Sequence, residues 1–142
     1  MTTAFFAAGI PKGQPRPRAF SRGGHARVYD PGTAEGWKSC VAIAAQPYRG
    51  FFKDGPLRVS IRFEFPRPKS HSTKRGLRPD APDYHMAKPD ADNAAKAVLD
   101  CLTEIGVWPD DALVSVLLVE KWYGFTPGAH ITIEELNGED EP

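Results

Sequence analysis

Hydrophobic and polar positions alternate most cleanly over residues 57–65. Leu57, Val59, Ile61, Phe63 and Phe65 fall on one side, and Arg58, Ser60, Arg62 and Glu64 on the other. A period of two predicts a half-buried strand. The period turns helical twice. Trp37, Val41, Ala44 and Ala45, with Cys40 beside them, predict a helix from an N-cap at Thr33 to about Ala45, stopped by Pro47 and Gly50. Ala95, Val98, Leu99, Leu102 and Ile105 predict a second helix, from Pro89 or Asp90 to Ile105, ended by Gly106. Shorter apolar runs predict strands over 3–8, 113–123 and 129–136, the last two joined into a hairpin by Thr126-Pro127-Gly128, and 25–29 reads as a brief strand or extended segment. The fold class expected is α+β: a mixed sheet of about four strands packed with two helices in one domain over 1–136, then a frayed acidic tail over 137–142.

Two stretches carry no hydrophobic period. Pro11, Pro15 and Pro17 interrupt any regular element in a loop that also holds Lys12, Arg16, Arg18, Arg22 and, further on, Arg27. Such a stiff cationic loop is either a phosphate-contacting arm or a solvated connection. The proline-rich segment 66–87 carries Arg67, Lys69, Lys74, Arg75 and Arg78. A structureless loop of this length is functional or disordered, and here it reads as a mobile basic flap that orders on DNA through Lys69, Lys74 and Arg75. His71 and His85 are candidates for metal binding or proton transfer, although a single loop histidine is more often neither.

Size and composition narrow the class without naming a chemistry. The 142 residues, 41% hydrophobic and 25% charged, are those of one globular domain. No run of about 18 apolar residues predicts a membrane span, and the first residues lack the basic and apolar regions of a signal peptide. Cys40 and Cys101 show no metal or redox spacing, so reduced thiols in a cytoplasmic protein are expected. The zero net charge conceals a polarity: residues 1–88 carry 16 Lys and Arg against 6 Asp and Glu, and residues 89–142 carry 2 against 12. Either the halves neutralise each other, or a basic track for phosphates adjoins an acidic metal site.

The acidic half concentrates the candidate chemistry. Asp90, Asp92 and Asn93 open the second helix, Lys96 follows four residues after Asp92, and Asp110-Asp111 comes after the helix. Hydrolysis of a phosphodiester needs an activated water and compensation of phosphoryl charge, and Mg²⁺ on two or three carboxylates supplies both. The competing explanation is local: Asp90, Asp92 and Asn93 as caps, Lys96 as an i,i+4 partner of Asp92, and Asp110-Asp111 as turn residues. A 16-residue helix spans roughly 24 Å, so Asp111 reaches the first cluster only if the chain reverses after the helix.

The run Lys88-Pro89-Asp90-Ala91-Asp92-Asn93, the helix lysine Lys96, and Trp108-Pro109-Asp110-Asp111-Ala112-Leu113-Val114 resemble the RusA family of Holliday-junction resolvases. Lys121 and the final strand look similar too, and the likeness covers about residues 57–136. The resemblance implies a homodimer that binds four-way junctions and makes paired symmetric nicks with Mg²⁺ in DNA recombination and repair. It implies Asp90, Asp92 and Asp111 as catalytic metal ligands and Lys96 as the catalytic lysine, with Asp110 a weaker match. It also suggests a prophage origin. The segment 66–87 and Pro109 depart from the family pattern. A flap or fork nuclease of the same chemistry, and a junction-binding protein without catalysis, are the alternatives.

Overall fold

The computed structural model describes the backbone of residues 1–14, 18–22, 25–29 and 32–137, and the side chains of residues 1–14 and 34–137. Its elements are β1 (Thr2–Ala8), β2 (Arg18–Arg22), β3 (His25–Tyr29), α1 (Gly32–Ala45), β4 (Leu57–Pro66), β5 (Ser72–Thr73), β6 (Gly76–Leu77), α2 (Ala91–Glu104), β7 (Val114–Gly124) and β8 (Gly128–Glu135). The expected α+β architecture of two helices and a four-stranded mixed sheet is present, in the order β1-β8-β4-β7. The alternation of β4 decides which face is covered. Leu57, Val59, Ile61 and Phe63 are essentially inaccessible and share a core with Ile131 and Ile133 of β8, Val41 of α1, and Val98 and Leu102 of α2. Each such burial is worth about 1.5–3 kcal/mol, so a one-residue slip of β4 would be expelled.

The hairpin expected between the last two strands does not form. β4 lies between them, parallel to β7 and antiparallel to β8, while β8 pairs on its other side with β1. Passing over one strand requires about 10 Å, which residues 125–127 span when extended. Turn chemistry at Thr126-Pro127-Gly128 reports a short connection but not which strands become neighbours. β4 takes the inner place because pairing satisfies both of its edges while one whole face is buried.

The segment 66–87 is also more ordered than a mobile flap. After a 3₁₀ turn at Lys69–His71 it forms the small β5–β6 hairpin. It then runs beside the end of β7, where the Tyr123 N–H donates to Asp83 O at 2.8 Å and the His85 N–H to Lys121 O at 3.0 Å. Arg67 fastens this return: it donates to Pro82 O at 2.8 Å and lies over the Tyr123 ring at 5.5 Å. Lys69, Lys74 and Arg75 stay exposed. Arg16 and residues 138–142 of the acidic tail lie outside the described residues, as do the side chains of Arg18 and Arg22. Of the two cysteines, Cys101 is buried with its thiol pushed up to about 11, mainly by burial, and Cys40 is half-buried. Among the described residues no helix is long and apolar enough to cross a membrane.

Candidate active site

Asp90 stands at the N-cap of α2 with extended backbone, and its carbonyl accepts from the Ala94 N–H at 2.9 Å. Its side chain makes no capping hydrogen bond. Instead, the two carboxylate oxygens take the ammonium of Lys88 at 2.9 and 3.1 Å, on a surface where both side chains are more than half exposed. A capping role therefore does not account for this carboxylate. The chain leading into it is held from β7. Lys121 Nζ donates to Ala87 O at 2.8 Å and to Pro89 O at 2.7 Å, on either side of the cis Lys88–Pro89 bond. Burial lowers the pKa of Lys121, the Asp90 carboxylate raises it, and Lys88 lowers it.

Asp92 and Lys96 are exposed and one turn apart on α2. The reversal demanded of the chain after the helix takes place. Gly106, at φ 82°, adopts the left-handed conformation that ends helices without a Cβ penalty. The Val107 N–H donates back to Leu102 O at 3.0 Å, and buried Trp108 donates to Thr103 Oγ1 at 2.7 Å. Asp110 and Asp111 thus turn back along α2. Asp110 is a turn residue, because its carboxylate accepts the Ala112 N–H at 2.9 Å. Asp111 is different. Burial pushes its carboxyl up, a hydrogen bond with Asp110 and the charges of Asp110 and Asp100 add to this, and Lys96 opposes them. The charges of Lys96 and Asp100 thus reach Asp111, and those two residues lie about 6 and 12 Å along the helix axis from Asp92.

Among the described residues, no group of three or more His, Cys, Asp or Glu side chains stands close enough to hold a metal ion. The donor chemistry nevertheless suits a hard divalent cation: Asp90 offers both oxygens to the Lys88 ammonium, and burial with the neighbouring Asp110 and Asp100 charges disfavours the ionised Asp111. Mg²⁺ keeps several waters and takes one or two carboxylates together with substrate phosphates, so it needs no closed protein cage.

The RusA endodeoxyribonuclease model matches residues 8–134, nearly the whole chain. The chain belongs to the RusA endodeoxyribonuclease family. Membership implies an endonuclease acting on DNA, hence a hydrolase, of the kind that resolves Holliday junctions. The uncharacterized protein YqaN of Bacillus subtilis (strain 168) is 31% identical over 137 residues, covering 94% of this chain and 96% of that protein.

Three residues around the aspartates of this RusA chain are given no role by the motifs, although Lys88 and Lys121 stand within the likeness. Lys121 has a sequence signal: it breaks the series Leu117, Val119, Tyr123 that pairs with the buried face of β4, opposite Phe63. A single lysine on the core side of a strand requires acceptors, and it finds the backbone before Asp90. Asp100 is four residues beyond Lys96, on the same side of the helix. Lys88, by contrast, carries no signal beyond its place at the head of the first motif. Of the histidines, His71 meets Arg67 Nη1 at 3.3 Å and the Tyr123 ring edge-on, and His85 is buried.

Proposed function

We propose that this chain is a Mg²⁺-dependent, structure-selective DNA endonuclease that resolves Holliday junctions by paired symmetric nicks as a homodimer during recombination and repair. The observation that carries the reading is Asp90. It occupies a helix N-cap yet commits its carboxylate to a cation at the surface, within a chain whose family consists of DNA endonucleases. Asp90 and Asp92 with Asp111 would hold Mg²⁺, which when bound supplies an activated water and offsets charge on the phosphoryl oxygens. The charge of Lys96 favours the ionised Asp111, and Lys96 can contact the scissile phosphate as a point charge. Lys121 keeps the Asp90 turn in position. Lys12, Arg16, Arg18 and Arg22 on the N-terminal side, with Lys69, Lys74 and Arg75, supply the phosphate track.

The outer edge of β7 supports the dimer. Val116, Leu117 and Leu118 are 41%, 44% and 53% exposed on consecutive positions of an edge strand. Soluble monomers avoid long apolar edges, and two nicks related by symmetry require two centres related by a two-fold axis.

The test is a panel of labelled four-way junction, flap, fork and plain duplex, each with Mg²⁺ or with EDTA. Symmetric nicks in the junction only with Mg²⁺ are expected. Preferential cutting of flaps or forks would reassign the substrate, and junction binding without cutting would overturn the enzyme.

A further inference from the structure

A cavity of about 620 Å³ opens beside Asp90, between the chain that leaves β1, the end of β4 and the turn before α2. Its size lies within the roughly 300–1,000 Å³ typical of small-ligand sites. Carboxylates that hold a hydrated cation do not need such a cavity, and its lining is not that of a metal site. Ile10, Pro11, Pro66 and Pro89 give apolar walls, and Phe65 carries the ring of His85 stacked on it, centroids 3.8 Å apart and 13° from parallel. The loop that closes the cavity is fixed to α2. The Gln14 N–H donates to Asn93 O at 3.2 Å, and Gly13 packs so tightly on Asn93 that a Cβ there would collide with its side-chain nitrogen.

Besides Asp90 and Asn93, the lining carries polar groups of two kinds. His85 is 8% exposed, and its Nδ1, like Gln14 Oε1, is buried with no hydrogen-bond partner among the described residues. Burial, helped by the charge of Lys121, lowers the pKa of His85, so near neutral pH its ring offers one donor and one acceptor. A flat edge that carries both donors and acceptors would match these groups. The second kind is cationic: Lys12 and Lys88 both line the cavity, and Lys88 also holds Asp90. A flat heteroaromatic group with a hydrogen-bonding edge, tied to a phosphate, satisfies every one of these features.

We propose that this cavity receives one unstacked nucleobase of the cleaved strand, its phosphate contacted by Lys12 and Lys88, and thereby selects where the nick falls. This rests on the DNA-endonuclease reading and deepens it. Bases at a branch are the cheapest in a duplex to unstack, so such a pocket would work on branched DNA and be largely idle on plain duplex. Because Asp90 lines the same cavity, the captured nucleotide adjoins the scissile phosphate.

The test is an abasic scan of a four-way junction, read as equilibrium binding in EDTA so that it does not depend on cutting. It is run with the wild type and with two cavity-filling variants, Ala34→Met and Ile10→Trp. Neither residue is among the catalytic or phosphate-contacting side chains. Ile10 is half exposed, so its replacement leaves the core intact even if Ala34→Met does not fold. One abasic position near the branch is expected to weaken wild-type binding about five-fold or more. Ile10→Trp should weaken binding of the intact junction similarly, and the abasic site should then cost it less than about two-fold more, since base and cavity act as one coupled pair. The proposal is overturned if every position is neutral, or if the two effects multiply. Nicking of the intact junction by the wild type with Mg²⁺ tests the enzyme separately. Nicking without a sensitive position discards the cavity and keeps the nuclease, whereas a coupled position without nicking overturns the nuclease and the choice of nick site and leaves a cavity that only binds a base. Failure to bind any junction overturns both.

Discussion

Asp90 and Asp110 look alike in sequence, each an aspartate just before a helical turn, yet only Asp110 caps its own turn. The difference lies in the partners: the Asp90 carboxylate takes the neighbouring Lys88 ammonium, and the chain around it is held from β7 by Lys121, which no local spacing encodes. Asp111 has a sharper consequence. An acid whose folded pKa is raised favours folding only below its ordinary value of 3.8 and loses that contribution as pH rises through the raised value. At neutral pH the fold therefore bears a carboxylate that it disfavours. Asp111→Asn should melt about 1–3 °C higher than wild type at pH 7, with the gain shrinking as pH falls through the raised value. Mg²⁺ should raise the melting temperature of the wild type more than that of the variant. A variant that melts lower at pH 7 would show that the charge is already compensated in the folded protein. Lys121→Met leaves two carbonyls without their donor. It should cost about 1–3 kcal/mol of stability and weaken Mg²⁺ binding, measured by calorimetry, about ten-fold or more. Unchanged metal affinity in a folded Lys121→Met protein would remove Lys121 from the site.

At the scale of elements, periodicity located β4, α1 and α2, and short apolar runs bounded by turn residues located β1, β7 and β8. The alternation of β4 and the apolar stripe of α2 are direct consequences of the burial of one face. What it could not supply was adjacency. The hairpin expected of β7 and β8 fails because a short turn is compatible with stepping over β4, and neighbour choice is set by packing at long range. The segment 66–87 was obscure for a related reason. Its order comes from backbone bonds to β7 and from Arg67 over Tyr123, neither of which leaves a period. The exposed edge of β7 is legible only once the strand order is known. Leu118→Lys places a charge there and, if this edge forms the proposed dimer, should give a monomer by light scattering where the wild type is a dimer, with little change in fold by circular dichroism. A variant that remains dimeric would move the interface elsewhere.

Across the whole molecule, the opposition of a basic 1–88 and an acidic 89–142 is partly consumed internally. Arg58 pairs with Glu134 at 3.0 Å, and Arg62 lies over Trp122 at 4.4 Å. Lys69, Lys74 and Arg75 remain exposed in the β5–β6 region. Replacing these three with alanine should lower the slope of log affinity against log salt by about 0.9 for each phosphate that is no longer neutralised. An unchanged slope would take the hairpin out of the phosphate track. The proposed metal centre is what the sequence specifies least completely. Its candidate ligands lie in the two aspartate clusters, but their separation along α2 depends on where the turn at Gly106 delivers the chain.

Asp92→Asn tests the central claim most directly, because it removes one carboxylate without adding bulk. Wild type and variant are compared on one labelled four-way junction, for binding in EDTA and for nicking in Mg²⁺. Binding retained by the variant, with nicking present in the wild type and abolished in the variant, is the predicted result. Nicking at the wild-type rate by Asp92→Asn would contradict a catalytic centre built on Asp90, Asp92 and Asp111.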